Sequence, residues 1–398
     1  MESKNIKRRH TMKKVAAILI ALTLVLTMML SSAAFAETDV QKAIAEAASL
    51  SWDDLLAKAK AEIGDNKLMI YSNTSRVKED TFTEKTGIAI ETQNPNDSQV
   101  YEMLEQEVGN GVYGADVVLL QDCFMLTNLA IASGWLENYV PEEYKAVTLE
   151  SDQNPLVVVY LNRLFFYNDG GDKEAKRFKN VWQFTDPEFK GTEFKNPMDE
   201  KSSMNFLISL TSEKWQARMA EAYKSYYGRD WAPSADFDNI SYEWIYKFLM
   251  NCTFVSKDST IASDIAGGAA GSSGLFVFSK LRSVDASNIT VCANDGIEGF
   301  AGLMYPIYGM IAANAKYPYA ACLYINYLLS AEGYGKIFGK EMGTYSVNNT
   351  IGISDNAKTY GDQPLSFWQD CLVFEDAEHV QNVYFEAFDK ISQWCASK

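Results

Sequence analysis

Short polar side chains gather at places where this chain should turn or begin a helix. Ser202 and Ser203 precede the apolar run 204–210, MNFLISL. They should therefore open a helix whose first backbone N–H groups have no partner within it. Such an end attracts anions through its free donors and the helix dipole, and phosphate, phosphonate or carboxylate would suit it. A serine there also serves as a plain helix cap, and both readings stand. Ser72, Asn73 and Thr74 follow the strand-like run 67–71, KLMIY, and Asp122 follows the run 115–120, ADVVLL. Asp122 reads as an acceptor for an ammonium or hydroxyl group, or as the cap of a helix from Met125 onward. Ser272 and Ser273 lie in GGAAGSSG, residues 267–274, a stretch suited to close backbone approach or to a surface turn. Tyr305, in the run 302–314, offers a ring on which the apolar part of a ligand could stack.

The same inventory argues against several kinds of catalysis. Beyond residue 36 the chain has one histidine, His379. A zinc site built on several histidines has no ligands, and a Ser-His-Asp triad has little to draw on. The glycine-rich stretch lacks Gly-Lys-Ser/Thr, GxGxxG and GxSxG, so it matches neither the phosphate-binding loops nor a nucleophile elbow. Six cysteines, at 123, 252, 292, 322, 371 and 395, show no metal-ligand spacing. They read as mostly free, buried thiols, with Cys371 and Cys395 the first pair to test for a disulfide. No metal or cofactor is expected.

The first 36 residues read as an export signal. Six basic residues from Lys4 to Lys14 precede an apolar stretch over 15–30, and Ala34-Phe35-Ala36 is a small-x-small cleavage site. An uncleaved membrane anchor is the alternative. Removing 36 residues from 398 leaves 362, enough for about two α/β lobes. The leader carries six of the 36 basic residues and one of the 52 acids, so the remaining chain has a net charge of −21. That charge repels nucleic acid and anionic lipid.

Apolar periodicity predicts helix over 39–64 with a restart at Ser51, strand 67–71, helix 76–85, strand 88–92, helix 98–108 and strand 115–120. Such alternation predicts a mainly parallel sheet, with ligands beyond the carboxyl ends of its strands. The run 156–168, LVVVYLNRLFFYN, is long for one strand and reads as a first crossing between lobes, with 302–314 as the return. The remaining C-terminal helices are expected to pack mostly on the first lobe.

Residues 182–203, WQFTDPEFKGTEFKNPMDEKSS, carry an aromatic pair, an Asp-Pro-x-x-Lys-Gly turn and the paired serines. This block resembles the start of the second lobe in bacterial solute-binding proteins of ABC importers, the ferric, polyamine and phosphonate type. KLMIYSNTS, GADVVLLQD, AACLYINYLLS with Ala331-Glu332-Gly333, and Gly343-Thr-Tyr345-Ser-Val347 extend the likeness over most of the chain beyond residue 36. The resemblance implies an α/β class II periplasmic-binding-protein fold: two lobes, each a mainly parallel sheet flanked by helices, joined by a two-crossing hinge. Residues 37–163 and 305–398 would form lobe 1, and 164–304 lobe 2. It also implies a monomeric, extracytoplasmic receptor rather than an enzyme, passing a small polar, anionic organic solute to a membrane permease. Ser72, Asn73, Thr74 and Asp122 would face Ser202, Ser203, Ser272 and Ser273, with Tyr305 near the hinge. Ferric members carry adjacent tyrosines after the glycine-rich region, where this chain has Gly274-Leu-Phe276-Val-Phe278, so iron is disfavoured. Tyr226-Tyr227 precedes Gly228 and reads as a helix end. A secreted hydrolase of small phosphate or carboxylate esters is the alternative.

Overall fold

The computed structural model describes residues 37–74, 76–77, 81–340 and 342–398. The expected leader, residues 1–36, lies outside them. The first helices, α1 (Asp39–Ala47) and α2 (Trp52–Ile63), break at Ser51, whose hydroxyl accepts from the amide of Asp54 at 3.2 Å. Leu55, Ala59 and Ile63 form the buried stripe of α2, spaced by one turn each.

Strand and helix then alternate through β1 (Lys67–Ser72), α3 (Thr81–Thr86), β2 (Ala89–Gln93), α4 (Asp97–Glu107) and β3 (Val117–Leu120). β1 pairs in parallel with both β2 and β3. A short helix α5 (Cys123–Met125) runs into a π-helical turn, followed by β4 (Leu136–Glu137), α6 (Glu142–Lys145) and the long strand β5 (Val157–Asn168). Past β5 come β6 (Glu193–Lys195), α7 (Lys201–Ser209), α8 (Glu213–Tyr227), α9 (Ile240–Asn251), β7 (Thr253–Val255) and α10 (Asp258–Gly267). Then follow β8 (Ser273–Val277), β9 (Ile289–Val291) and the second long strand, β10 (Gly302–Ala312). The chain closes with α11 (Pro318–Leu329), α12 (Ala331–Ile337), β11 (Thr344–Ser346), α13 (Asp355–Thr359), α14 (Leu365–Cys371), β12 (Val373–Phe374) and α15 (Ala377–Ala396).

The strands join in one mixed sheet with the central order β2-β1-β3-β10-β5-β8-β6-β7. Its flanks are parallel as expected, but its centre is not: β10 runs antiparallel to β3 and β5, and β5 antiparallel to β8. The reason is the return strand. β5 carries the chain out and β10 brings it back directly beside it in the opposite direction. Each long strand also changes partner along its length. β5 pairs with β11 at residues 159–161 and with β8 at 163–167; β10 pairs with β12 at 303–304 and with β3 at 308–311. Gly302 starts β10 at φ 148°, and a Cβ there would stand 2.2 Å from the carbonyl oxygen of Arg163. Only glycine lets the two strands close at that point.

The aromatic pair of the 182–203 block belongs to the core. Trp182 and Phe184 sit in a 3-10 turn, Val181–Thr185. Trp182 donates its indole N–H to the carbonyl of Met219 at 3.1 Å, while Phe184 stacks on Phe165 of β5. The helix expected over 76–85 is described only from Thr81. The last helix, α15, packs on α7 and α9 as well as on α5. Its apolar stripe, Val380, Tyr384, Ala387 and Ile391, is long enough to meet all three.

Candidate functional site

A polar cavity of about 550 Å³ opens over the middle of β5 and β10, and its floor is Arg163 beside Tyr305. Arg163 lies opposite Leu303 in the register, so Tyr305 is its diagonal neighbour. The guanidinium stands 5.1 Å from the tyrosine ring centre. Three polar side chains hold Arg163 in place. It donates to Ser202 Oγ at 2.6 Å and to Glu200 Oε1 at 3.1 Å, and its Nε lies 3.2 Å from Asp258 Oδ1. Lys195, at the end of β6, contacts Glu200 and lies 3.5 Å from Asp258 Oδ2. Two cations and two anions thus form a closed group. Burial opposes the charge on Glu200, but Arg163 and Lys195 outweigh it and hold the carboxyl down at about 2. Burial likewise works against the Arg163 charge, and Asp258 and Glu200 reverse that effect.

One wall is the loop after β1. Ser72 is buried, its hydroxyl accepting from the amide of Thr74 at 3.2 Å, so it shapes the loop behind the cavity. Asn73 and Thr74 line the cavity. Asn73 donates to Asp97 Oδ1 at 2.6 Å, and Arg76 donates to Ser279 Oγ at 3.0 Å across 203 residues of sequence. Burial, with the nearby Asp122 carboxyl, pushes Asp97 up to about 8. At neutral pH this side chain is mostly protonated and acts as an uncharged hydrogen-bonding group.

The opposite wall is the start of α7. Glu200 occupies the cap position but makes no side-chain capping bond, because its carboxylate is turned to Arg163 and Lys195. Lys201, at the first helical position, lines the cavity; its ammonium makes no ion pair or hydrogen bond with a described side chain, and it acts on Asp122 through its charge. Ser203 is 1% exposed and its hydroxyl has no hydrogen-bond partner among the described residues. Behind this end, Asp122 Oδ1 caps α5 by accepting from Phe124 and Met125 at 3.0 and 3.4 Å, while Oδ2 is buried without a hydrogen-bond partner among the described residues. Burial raises the Asp122 carboxyl above its ordinary range, and Lys201 partly counters it.

The nine residues picked from sequence therefore fall into three groups. Asn73, Thr74 and Tyr305 meet in the cavity. Ser72, Asp122, Ser202 and Ser203 stand just behind its walls. Ser272 and Ser273 line another cavity, of about 440 Å³, with Arg177, Lys190 and Glu193. Ser273 there shares a hydrogen bond of 2.8 Å with Thr192. Sequence reasoning passed over Arg163, Lys195, Glu200, Lys201 and Asp258. Arg163 had left a signal: it is the one charge in the apolar run 156–168, and a charge in such a run needs a buried partner.

Among the described residues no group of three or more His, Cys, Asp or Glu side chains could hold a metal ion. Tyr226 donates to Asp186 Oδ2 at 3.1 Å, and Gly228 ends α8 in the left-handed conformation, which agrees with a structural helix end. His379 is tied to Thr211 at 2.8 Å and does not line the polar cavity.

No family model and no curated protein matches this chain. Solved structures do. Iron-bound HitA from Pseudomonas aeruginosa superposes with a TM-score of 0.62 at 14% identity, covering 82% of this chain and 99% of its own. The Trichodesmium protein IdiA (FutA), in complex with iron and citrate, gives 0.60 at 17% identity over 83% and 99%. An ABC transporter structure from Clostridium perfringens gives 0.58 at 14% identity over 83% and 100%. The chain shares the fold of these bacterial proteins over nearly their whole length.

Proposed function

We propose that this chain, built on the fold shared with bacterial ferric-binding and ABC transporter proteins, is the extracytoplasmic receptor of an ABC importer for a small anionic organic solute. Lys201 carries the reading. It lines the polar cavity at the uncapped start of α7, forms no ion pair or side-chain hydrogen bond with a described residue, and has the buried Asp122 carboxyl as an electrostatic neighbour. An anion held there would meet a full positive charge, free helix amides and the helix dipole together. Phosphonate, sugar phosphate and carboxylate groups have the required chemistry.

The partner changes along β5 and β10 support a division into lobes 37–163 with 305–398, and 164–304, closing about the two strands. Asn73 and Thr74 would then act from one side and the start of α7 from the other, in a monomer that hands its solute to a membrane permease. The proteins named above include iron binders, but iron is disfavoured for this chain. Tyr305 is the one phenol lining the cavity among the described residues, and a guanidinium stands by its ring. A hydrolase is disfavoured too, since His379 does not line the cavity and GSSG belongs to another one.

Native mass spectrometry of the purified protein should reveal a co-purified small anion. Lys201→Met should weaken that binding about 10- to 100-fold, the loss expected for a charge-assisted contact. Unchanged affinity in the variant, or a co-purified cation, would refute the reading.

A further inference from the structure

We propose that Cys252 and Cys395 are a redox pair, joined as a disulfide when the protein meets a disulfide oxidant and fastening the end of α15 to the end of α9. Cys252 sits at the C-terminal cap of α9, where its thiol donates to the carbonyl of Leu249 at 3.4 Å. The end of the chain folds onto the same spot. Lys398 Nζ donates to the carbonyl of Leu249 at 2.6 Å and to that of Cys252, and lies 3.2 Å from Cys252 Sγ. Trp394 packs against Phe237, Tyr242 and Tyr246, with ring centres 6.4, 5.9 and 5.7 Å away. Cys395 lies between these two anchors in sequence. It lies in the last turn of α15, one residue after Trp394, which packs on α9, and three before Lys398, which bonds to the end of α9.

Electrostatics agree with this placement. Burial raises the Cys395 thiol to about 11, with Cys252 adding to the shift and Lys398 opposing it. Burial also raises Cys252 to about 11, and Lys398 is the main opposing influence. The Lys398 ammonium thus favours the thiolate of both, which is the reacting form. The other four cysteines have different surroundings. Cys123 meets Glu375, Cys292 lies near Asp295, Cys322 near Glu62, and Cys371 beside Arg218 and Asp370.

The exchange is balanced with an organic disulfide such as oxidised glutathione. The better exposed Cys395, as thiolate, attacks one sulfur of the oxidant and releases one thiol. Cys252, as thiolate, then attacks the Cys395 sulfur and releases the second. The two cysteines lose two protons and two electrons in total, and the oxidant becomes two thiols. Because α15 also packs on α5 and α7, the bond would fix one end of a helix that touches elements before and after β5.

The full chain is incubated with oxidised glutathione until free-thiol titration stops changing, then unfolded, alkylated and digested without reductant. The expected product is a Cys252–Cys395 peptide pair lighter by two hydrogens, which dithiothreitol separates. Cys371→Ser should leave it intact. Cys252→Ser should leave glutathione on Cys395 instead, and should remove any rise in melting temperature that oxidation gives the natural chain. Recovery of Cys252 and Cys395 both alkylated after oxidation, or of Cys395 joined to Cys371, overturns the proposal. That result would leave the solute-binding reading untouched.

Discussion

Replacing Arg163 with alanine should destabilise the protein by about 3–5 kcal/mol, the cost typical of removing one member of a buried ion pair. The guanidinium is only 4% exposed and serves Glu200, Asp258 and Ser202 at once. With it gone, Lys195 alone must balance two carboxylates. Arg163→Lys should recover only part of the loss, because an ammonium cannot present the planar fork that reaches Ser202 and Glu200 together. Adding Glu200→Gln to Arg163→Ala should be less than additive, since it removes one of the stranded charges. Urea denaturation measures all three. A loss below about 1 kcal/mol in the alanine variant would mean that solvent already screens the cluster. The variants should also weaken solute binding, because α7 begins directly beside Glu200.

Stability should be highest in mildly acidic solution and fall towards pH 8, contrary to the usual neutral optimum. Asp97 is raised from 3.8 to about 8, and Glu375 from 4.5 to about 7, with burial the leading cause in both. Glu375 accepts from Asn205 at 3.0 Å through one oxygen, while the other is buried without a hydrogen-bond partner among the described residues. A carboxyl whose folded pKa is raised stabilises the protein while protonated, and that stability is lost as pH climbs through the folded value. For Glu375 the window is 4.5 to about 7, a loss on the order of 3 kcal/mol at 1.36 kcal/mol per pKa unit. Glu200 has the opposite sign. Lowered to about 2, it contributes stability above 4.5 that is lost as pH falls towards 2. The optimum should therefore lie near pH 4 to 5, and melting temperatures across the pH range test it. Glu375→Gln keeps the acceptor for Asn205 and removes the ionisation, so it should flatten the fall between pH 5 and 7. An unchanged slope would assign the fall to the general acidity of the surface.

The order of elements was legible from pattern alone because each apolar run has the period of the element it forms. Residues 98–108 and 67–71 kept their expected types to within one residue at either end, and the restart at Ser51 followed from its cap. Strand direction at the centre of the sheet was not legible, since β10 carries the same apolar run whether it returns parallel or antiparallel. The site was read by looking for free hydroxyls, and that search favoured groups the fold uses internally. Ser72 and Ser202 satisfy neighbours, and Ser273 satisfies Thr192. The cavity itself is lined by charges spread over β5, β6, α7 and α10, which only the folded sheet brings together.

The exchange of partners along β5 and β10 has a mechanical consequence. Any swing of one half of the molecule against the other must be absorbed as torsion along two ribbons that stay bonded to each other from residues 157 to 164 and 302 to 308. If the molecule closes as proposed, these paired ribbons are the part that moves least. Their amides should exchange with solvent more slowly than any others, whether or not the cavity is filled, and a filled cavity should add protection only at a distance from them.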